Sequence, residues 1–402
     1  MLIKGHLKQQ VVSTLYFEKT LSVVDLSNII GKSVPHVTKV LLELMMEGLI
    51  EEVGFASSSG GRKPKVYALK AATMYIVAIA MDQHYMKINI VDLLNNPVLP
   101  VESHELKLLN NDRALPELVD IVNKAIEKSG IGREKILGVG IGIPGFTNTR
   151  LGINYSYLKP PGDESICDYL ERELGVQVKI DNDASLIALS ELKYGLARGK
   201  VEVMVINIGW GIGLGMIING ILFRGFTGHA GELSHIPISE SDTLCECGKK
   251  GCLETEATLR VITERAIKDI KEGNVSGLKY EPQLEQMSEV IMVAANKGDQ
   301  YSIELLSDMG YKIGKAIAIL IHIVNPELIV LSGRGADVGK ILLAPIQQAL
   351  NKYCIPRLSE YTNVKVSALG GKAELIGAAA LVMENISESP VNTKENYKKE
   401  LI

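Results

Sequence analysis

The spacing of apolar residues over the first seventy positions predicts three short helices. Their buried faces are expected to be Leu7, Val11 and Leu15, then Leu26, Ile29 and Ile30, then Val37, Val40, Leu41 and Leu44. Ser22, with Asp25 three residues later, predicts the start of the second helix, and Gly31 predicts its end. Ser33 and Pro35 suit the first turn of the third helix. Two helices joined by a tight turn are typical of a helix-turn-helix.

Two short strands are expected after the third helix. The segments LIEEV and KVYAL have the composition of strands, and the glycine-rich connection GFASSSGGRKP lies between them. A hairpin with a basic tip is suited, as a wing, to phosphates or to the minor groove of DNA. The predicted DNA contacts are Ser33, His36, Thr38 and Lys39 on the third helix and Arg62, Lys63 and Lys65 in the wing. The alternative is a helical protein-interaction domain with a solvated hairpin.

From residue 74 onward, short strand-like runs alternate with helical stretches. The runs are MYIVAIAM, MKINIVDL, ILGVGIGIPG, VKIDNDA, VMVINIG, GLGMIING and ELIVLSG. Helices are predicted over Ser185–Tyr194, Leu259–Lys271, Tyr301–Ile323 and Ala373–Met383. This alternation predicts an α/β body, and its length predicts two lobes.

The predicted organisation has four parts. Residues 1–70 form a winged helix-turn-helix module. Residues 71–193 form a first α/β lobe, to which residues 370–384 return. Residues 194–369 form a second lobe that carries a cysteine cluster. Residues 385–402 are polar, and we expect them to form a frayed tail.

Composition and charge narrow the class of protein. With 402 residues, 46% of them hydrophobic and 22% charged, the chain is an ordinary globular protein. No run approaches the roughly 20 apolar residues of a membrane-spanning helix, and the start MLIKGHLKQQ does not resemble a signal peptide, so we expect a cytoplasmic protein. The net charge is −4, but residues 1–70 hold nine Lys and Arg against six Asp and Glu, so they carry +3 and the remainder −7. A basic module of this kind favours an anionic partner.

Three of the five cysteines, Cys245, Cys247 and Cys252, lie close together in the sequence. In a cytosolic chain, such a cluster favours a metal site over disulfides. Three thiolates and one imidazole would complete a tetrahedral Zn²⁺ site. Such a zinc would be structural, because four protein ligands leave no position open for catalysis. The alternative is a set of reduced cysteines without a metal.

Five segments in chain order resemble the ROK family, which comprises bacterial repressors and sugar kinases of the actin-like ATPase fold. They are GIGIPG (140–145), IDNDASLIALSE (180–191), NIGWGIGLGMIINGILFRGFTGHAGELSH (207–235), CECGKKGCLE (245–254) and NPELIVLSG (325–333). The resemblance covers nearly the whole chain and includes the winged module, which only the repressor branch carries. It implies an actin-like body with two lobes, and it implies that His235 is the fourth zinc ligand.

The same resemblance implies a sugar site. Its hexose contacts would be Asn182, Asp183, Glu232, His235 and Glu254, with Asp183 at the position of the catalytic base in the kinases. Taken singly, Asn182 and Asp183 could instead cap a helix, and the two glutamates could be surface acids.

Two departures from the kinase pattern bear on catalysis. Kinases of the family open the ATP lobe with an Asp-x-Gly-Gly-Thr hairpin, whose glycines let the backbone approach phosphates. Here that hairpin reads DQHYM (82–86), and His84, Tyr85 and Met86 are expected to fill the space of the β- and γ-phosphates. In the second glycine loop, residues 209–213, Trp210 stands between glycines. We therefore expect no phosphoryl transfer and a vestigial role for Asp183.

The sequence thus predicts a sugar-responsive repressor of carbohydrate genes. We expect a homodimer or homotetramer on a double-stranded DNA operator, with a sugar or sugar phosphate as the effector. Because half-sites must be about 34–36 Å apart or a multiple of this, a modest rotation between subunits would break the register. The alternatives are an active sugar kinase with an accessory DNA module, a sensor whose module docks on a transport protein, and an apo or peptide-regulated protein.

Overall fold

The computed structural model of the protein describes residues 3–56, 63–273 and 277–387. The chain divides by internal packing into unit 1, residues 1–186 and 374–402, and unit 2, residues 187–373. The helices of the described ranges are α1 His6–Glu18, α2 Val23–Ile30, α3 Val34–Met46, α4 Ala114–Ser129, α5 Ile166–Leu174, α6 Asp183–Tyr194, α7 Leu259–Lys271, α8 Leu284–Asn296, α9 Gln300–Val324, α10 Lys340–Tyr353, α11 Pro356–Ser359 and α12 Ala373–Glu384. The strands are β1 Thr20–Ser22, β2 Ile50–Phe55, β3 Lys65–Leu69, β4 Tyr75–Met81, β5 Tyr85–Asp92, β6 Glu102–Glu105, β7 Ile136–Ile143, β8 Thr147–Asn148, β9 Ile153–Asn154, β10 Val178–Asn182, β11 Val203–Ile208, β12 Ile212–Ile218, β13 Ile221–Phe223, β14 Leu328–Ser332 and β15 Asn363–Val366.

The N-terminal part of unit 1 packs α1, α2 and α3 beside an antiparallel sheet with strand order β1-β3-β2. Ser22 and Asp25 form the expected capping box at the start of α2, and Gly31 ends this helix in the left-handed conformation, with φ 69°. The buried stripe of α3 is the predicted one: Val37, Val40, Leu41 and Leu44. These elements, in this order, agree with a winged helix-turn-helix. Residues 57–62, which include the predicted contact Arg62, lie outside the described residues.

Two local predictions for this part are wrong. Strand β1 was not expected, because three residues carry too short a pattern to reveal a strand. Ile29 was expected to face inward, but it is 57% exposed. Helix α2 has only eight residues, and its buried positions are Leu26 and Ser27, so Ile29 falls on the opposite side.

The remainder of unit 1 contains a mixed sheet with strand order β10-β7-β4-β5-β6. Strands β10, β7 and β4 are parallel, whereas β4, β5 and β6 form an antiparallel meander. Helix α12 packs closely on β7, because a Cβ atom added to Gly140 would lie 2.0 Å from the carbonyl oxygen of Ala378. The C-terminal segment therefore returns to this sheet.

Unit 2 repeats the same topology. Its sheet has the order β13-β12-β11-β14-β15, with β11, β14 and β15 parallel and β11, β12 and β13 antiparallel. Each of the two five-stranded sheets is thus a three-stranded antiparallel meander whose first strand is extended by two parallel strands, and the α/β prediction is confirmed. No helix in the described ranges is long and apolar enough to cross a membrane.

Candidate metal and ligand sites

The cysteine cluster gathers four possible metal ligands in unit 2. One ligand atom each from His235, Cys245, Cys247 and Cys252 lies within 4.8 Å of all the others. Nδ1 of His235 is 3.6 Å from Sγ of Cys245, and the Sγ atoms of Cys247 and Cys252 are 3.7 Å apart. The cluster can therefore hold a metal ion.

Backbone hydrogen bonds bring these residues together. The N–H of Cys245 donates to the carbonyl of Lys249 at 2.8 Å, which closes a tight turn around Cys247. The N–H of Ile238 donates to the carbonyl of Gly251 at 2.9 Å, which ties this turn to the segment that follows His235. The ligand positions are therefore set by short-range turns.

The three thiols of the cluster differ in how readily they lose a proton. Burial raises the pKa of Cys252 to about 12 and also raises the pKa of Cys245. The backbone N–H of Lys249 lowers the pKa of Cys247. Without a cation the two buried thiols stay neutral at pH 7, so metal binding would release protons. A set of three sulfurs and one imidazole nitrogen is a donor set that suits Zn²⁺.

The two ring nitrogens of His235 face different neighbours. Nδ1 faces the thiols, and Nε2 lies 3.8 Å from Oε2 of Glu232. A carboxylate beside the non-ligating nitrogen is the usual way to orient a metal-binding histidine. Partial burial raises the pKa of Glu232. Two of the predicted sugar contacts, Glu232 and His235, are thus neighbours at the edge of the cluster.

Glu254 closes the second glycine loop. Its Oε2 accepts a hydrogen bond from the backbone N–H of Ile212 at 3.0 Å, and burial raises its pKa. The N–H of Gly209 donates to the carbonyl of Gly211 at 2.9 Å. Trp210 is half-buried and packs against the core of unit 2. Two backbone donors of this loop are therefore occupied by the protein itself.

Asn182 and Asp183 lie in unit 1, where β10 ends and α6 begins. The side-chain oxygen of Asn182 accepts hydrogen bonds from the N–H groups of Ala184 and Ser185, at 3.0 and 3.3 Å, and its Nδ2 donates to the carbonyl of Gly145 at 3.1 Å. Asn182 therefore caps the helix, which was the alternative considered above. Asp183 is half-buried in the first turn. A sugar contact by either residue stays a prediction.

The loop at the kinase phosphate position is closed on itself. Oδ1 of Asp82 accepts hydrogen bonds from the N–H groups of His84 and Tyr85, both at 2.7 Å. Nε2 of Gln83 donates to the hydroxyl of Tyr157 at 3.1 Å. The prediction that Met86 fills the phosphate space is wrong: it is 0% exposed, because the alternation of β5 points it into the core. His84 is exposed and Tyr85 is half-buried.

Glu374, in the first turn of α12, belongs to the same region and was missed by the sequence reasoning. Burial, together with the negative charges of Asp183 and Asp82, raises its pKa to about 7 against the opposing effect of Lys87. Three carboxyl groups therefore influence one another here. The signal was visible in the sequence, since Glu374 is the single charged residue in AELIGAAALVM.

The predicted DNA contacts differ in solvent exposure and in whether their side chains form bonds within the protein. His36, Lys39 and Lys63 are exposed. Ser33 is also exposed and begins α3 without a side-chain capping bond. The hydroxyl of Thr38 donates to the carbonyl of Val34 at 2.8 Å, and Lys65 forms an ion pair with Glu52 at 2.8 Å. Contact with DNA by any of these residues stays a prediction.

Comparison with known proteins identifies the family. The sequence profile of the ROK family matches residues 91–385. The xylose repressor of Caldicellulosiruptor bescii is 27% identical over 398 residues, which cover 97% of this chain and 98% of that protein. A glucokinase of Halalkalibacterium halodurans is 32% identical over 271 residues, which cover 66% of this chain and 82% of the enzyme. A crystal structure of a ROK family transcriptional regulator, a homolog of the Escherichia coli MLC protein, matches with a TM-score of 0.78 and 25% identity over 95% of this chain and 97% of that one.

The extent of these matches is informative. A match over 97% of the chain includes most of residues 1–70, whereas the glucokinase match covers only two thirds of the chain. The regulator structure likewise spans almost the full length. Since the family profile covers well over half of the sequence, this chain belongs to the ROK family.

Proposed function

We propose that the protein is a sugar-responsive DNA-binding repressor whose kinase-like body binds its effector without phosphorylating it. The observation that carries this proposal is the loop at Asp82, whose own carboxylate takes up the N–H groups of His84 and Tyr85. Backbone N–H groups in such a loop would otherwise be free to bind phosphate. Full-length similarity to a protein named xylose repressor supports the regulatory role.

The N-terminal module supplies the DNA-binding surface. Helix α3 presents His36 and Lys39 to solvent, and Lys63 is exposed at the base of the wing. In a helix-turn-helix the second helix enters the major groove, and basic side chains of a wing contact phosphates or the minor groove. Two or four copies would place such modules on a palindromic operator.

The cysteine cluster would hold a structural Zn²⁺ ion through His235, Cys245, Cys247 and Cys252. Four protein ligands leave no open coordination position, so the ion would supply stability rather than catalysis. Glu232 and Glu254 flank the cluster in sequence, and Glu232 approaches the ring of His235. The ion would thus hold the segments that carry the predicted sugar contacts of unit 2.

DNA binding is tested with the purified full-length protein and sheared DNA of the source genome. Enriched fragments are sequenced, and the best fragment is used for fluorescence anisotropy with D-xylose, D-glucose or D-glucose 6-phosphate. We expect specific binding that weakens steeply with salt and is released by one of these sugars. Lys39→Ala should weaken binding to all sequences and reduce the salt slope by about one. Lys268→Ala, an exposed lysine on α7, is the control and should change neither. Failure to enrich any fragment would contradict the proposal.

An active sugar kinase is the second candidate, since a glucokinase is 32% identical over two thirds of the chain. The family resemblance implies that Asp183 would be its catalytic base. ADP release is measured with ATP, Mg²⁺ and each sugar. We expect no turnover above that of Asp183→Asn. Sugar-dependent turnover that disappears in this variant would establish the kinase instead.

A further inference from the structure

Helix α12 connects the predicted ligand end of unit 1 with the DNA-binding module. Its first turn carries Glu374, whose charge environment includes Asp183. Near its other end, the carbonyl of Met383 accepts a hydrogen bond from the hydroxyl of Ser13 on α1 at 2.8 Å. A helix of 12 residues spans about 18 Å. The two predicted functions of unit 1 are thus joined by one short rigid element.

Helix α12 packs closely against the start of α6 and against β7. A Cβ atom added to Gly377 would lie 2.0 Å from the carbonyl oxygen of Leu186, which is one turn after Asp183 on α6. A Cβ atom added to Gly140 of β7 would likewise lie 2.0 Å from the carbonyl oxygen of Ala378, so α12 also approaches β7 closely. Contact between backbones is stiffer than contact through flexible side chains, because close-packed interiors transmit displacement. A shift at the start of α6 therefore moves α12.

Three hydrogen bonds hold α1 on the rest of unit 1, and two of them come from the end of α12 or the residues just after it. Besides Ser13, the hydroxyl of Tyr16 hydrogen-bonds with Oδ1 of Asn95 in the body of unit 1. Nδ1 of His6 lies 3.3 Å from the carbonyl oxygen of Ser387, just after α12. Ser13 and His6 link α1 to the end of α12, whereas Tyr16 links it to the turn after β5. A movement of the end of α12 is therefore passed to α1 through two of these bonds.

Within the module, α1 is fastened to α3. Nζ of Lys8 lies 3.0 Å from a carboxylate oxygen of Glu43 near the end of α3, and 2.6 Å from one of Glu47 just beyond it. Val11 and Leu15 of α1 are buried, as are Val37 and Leu41 of α3. A movement of α1 is therefore passed to the helix that carries Lys39.

We propose that α12 is the coupling element of the regulator: it transmits a ligand-induced shift at the start of α6 through Ser13 to α1, which Tyr16 also holds on the body of unit 1, and so to α3. This inference rests on the proposed function. It assigns Ser13 and Tyr16 as positioning residues, which touch neither sugar nor DNA. Their removal should uncouple the two binding events without abolishing either.

The test compares the wild-type protein with the double variant Ser13→Ala/Tyr16→Phe, which removes two hydroxyl groups from α1. Thr14→Ala is the matched control, because the hydroxyl of Thr14 donates within the same helix to the carbonyl of Gln10 at 2.7 Å and does not reach the body. The dissociation constant for the enriched fragment is measured by anisotropy, with and without each of D-xylose, D-glucose and D-glucose 6-phosphate. Sugar affinity is measured by calorimetry, and circular dichroism checks the fold.

In the wild type and in Thr14→Ala, we expect sugar to weaken DNA binding by about 5- to 150-fold, the usual range of coupling between two sites. In the double variant this factor should fall below about 3-fold, while the affinity for each ligand alone changes little. An undiminished factor in the double variant overturns the role of α12 and leaves the proposed function intact. Absence of DNA binding or of any sugar effect in the wild type contradicts the proposed function, and the coupling inference falls with it.

Discussion

The cysteine cluster of unit 2 and the closed loop of unit 1 use their polar groups in opposite ways. The cluster gathers three thiols and an imidazole nitrogen within 4.8 Å of one another, an arrangement suited to a cation. In the loop at Asp82, the carboxylate accepts hydrogen bonds from the N–H groups of the same loop, and Met86, which follows the loop, is buried in the core. The difference teaches that one chain can turn several polar side chains toward one another in one region and satisfy its polar groups with its own backbone in another.

The largest effect is expected where the cluster is broken. Cys252→Ser removes a fully buried ligand, and we expect the bound metal to fall from about one ion per chain to near zero. Loss of a structural metal belongs to the most damaging class of substitutions, so the free energy of unfolding should fall by more than about 4 kcal/mol. Metal is measured by mass spectrometry and stability by urea denaturation.

Cys167→Ser is the control for this substitution, because Cys167 is also a buried cysteine but lies outside the cluster. It should leave the metal content unchanged. Equal metal content in the wild type and in Cys252→Ser would show that the cluster is not a metal site. The cluster and the loop would then no longer differ in whether they bind a cation.

An intermediate effect is expected at Met86, the residue at the threonine position of the kinase hairpin. Met86→Thr restores the kinase residue but leaves a cavity and a hydroxyl in the core of unit 1. We expect a loss of about 3 kcal/mol in the free energy of unfolding, measured in urea. Met46→Thr, at a methionine that is 81% exposed, should cost less than about 0.5 kcal/mol. If Met86→Thr leaves the free energy of unfolding unchanged, the side chain of Met86 is not part of the core of unit 1.

The sequence predicted elements better than it predicted side-chain directions. Helices with clear capping residues at both ends, such as α2 between Ser22 and Gly31, were placed correctly because a cap depends only on residues close in the sequence. The ligand cluster was found for the same reason, since the spacing of three cysteines already defines a short turn. Ile29 was misplaced because a single residue of rotation in a short helix exchanges its buried and exposed positions.

The remaining differences depend on distant parts of the chain. Met86 was expected to obstruct phosphate because the comparison with kinases concerned only the hairpin, whereas its direction is set by pairing of β5 within the sheet. Glu374 lies far along the sequence from Asp82 and Asp183, and only the return of α12 brings these carboxyl groups together. The pattern of residues along the chain does not reveal which distant residues become neighbours in the folded protein.

The smallest effect, and the most specific to the closed loop, concerns pH. The pKa of Glu374 is raised to about 7 in the folded protein, from an ordinary value near 4.5. Between these values the folded chain keeps a proton that the unfolded chain has lost, so the stability from this group is present at low pH and disappears as pH rises through about 7. We expect Glu374→Gln to flatten the loss of stability between about pH 5 and pH 8 by about 2 kcal/mol, measured by urea denaturation. Glu102→Gln is the control, because Lys128 lowers the pKa of Glu102 and its effect should be confined to more acidic conditions. If Glu374→Gln keeps the wild-type slope above pH 5, burial and the neighbouring carboxylates do not hold Glu374 protonated, and this difference from the cysteine cluster is lost.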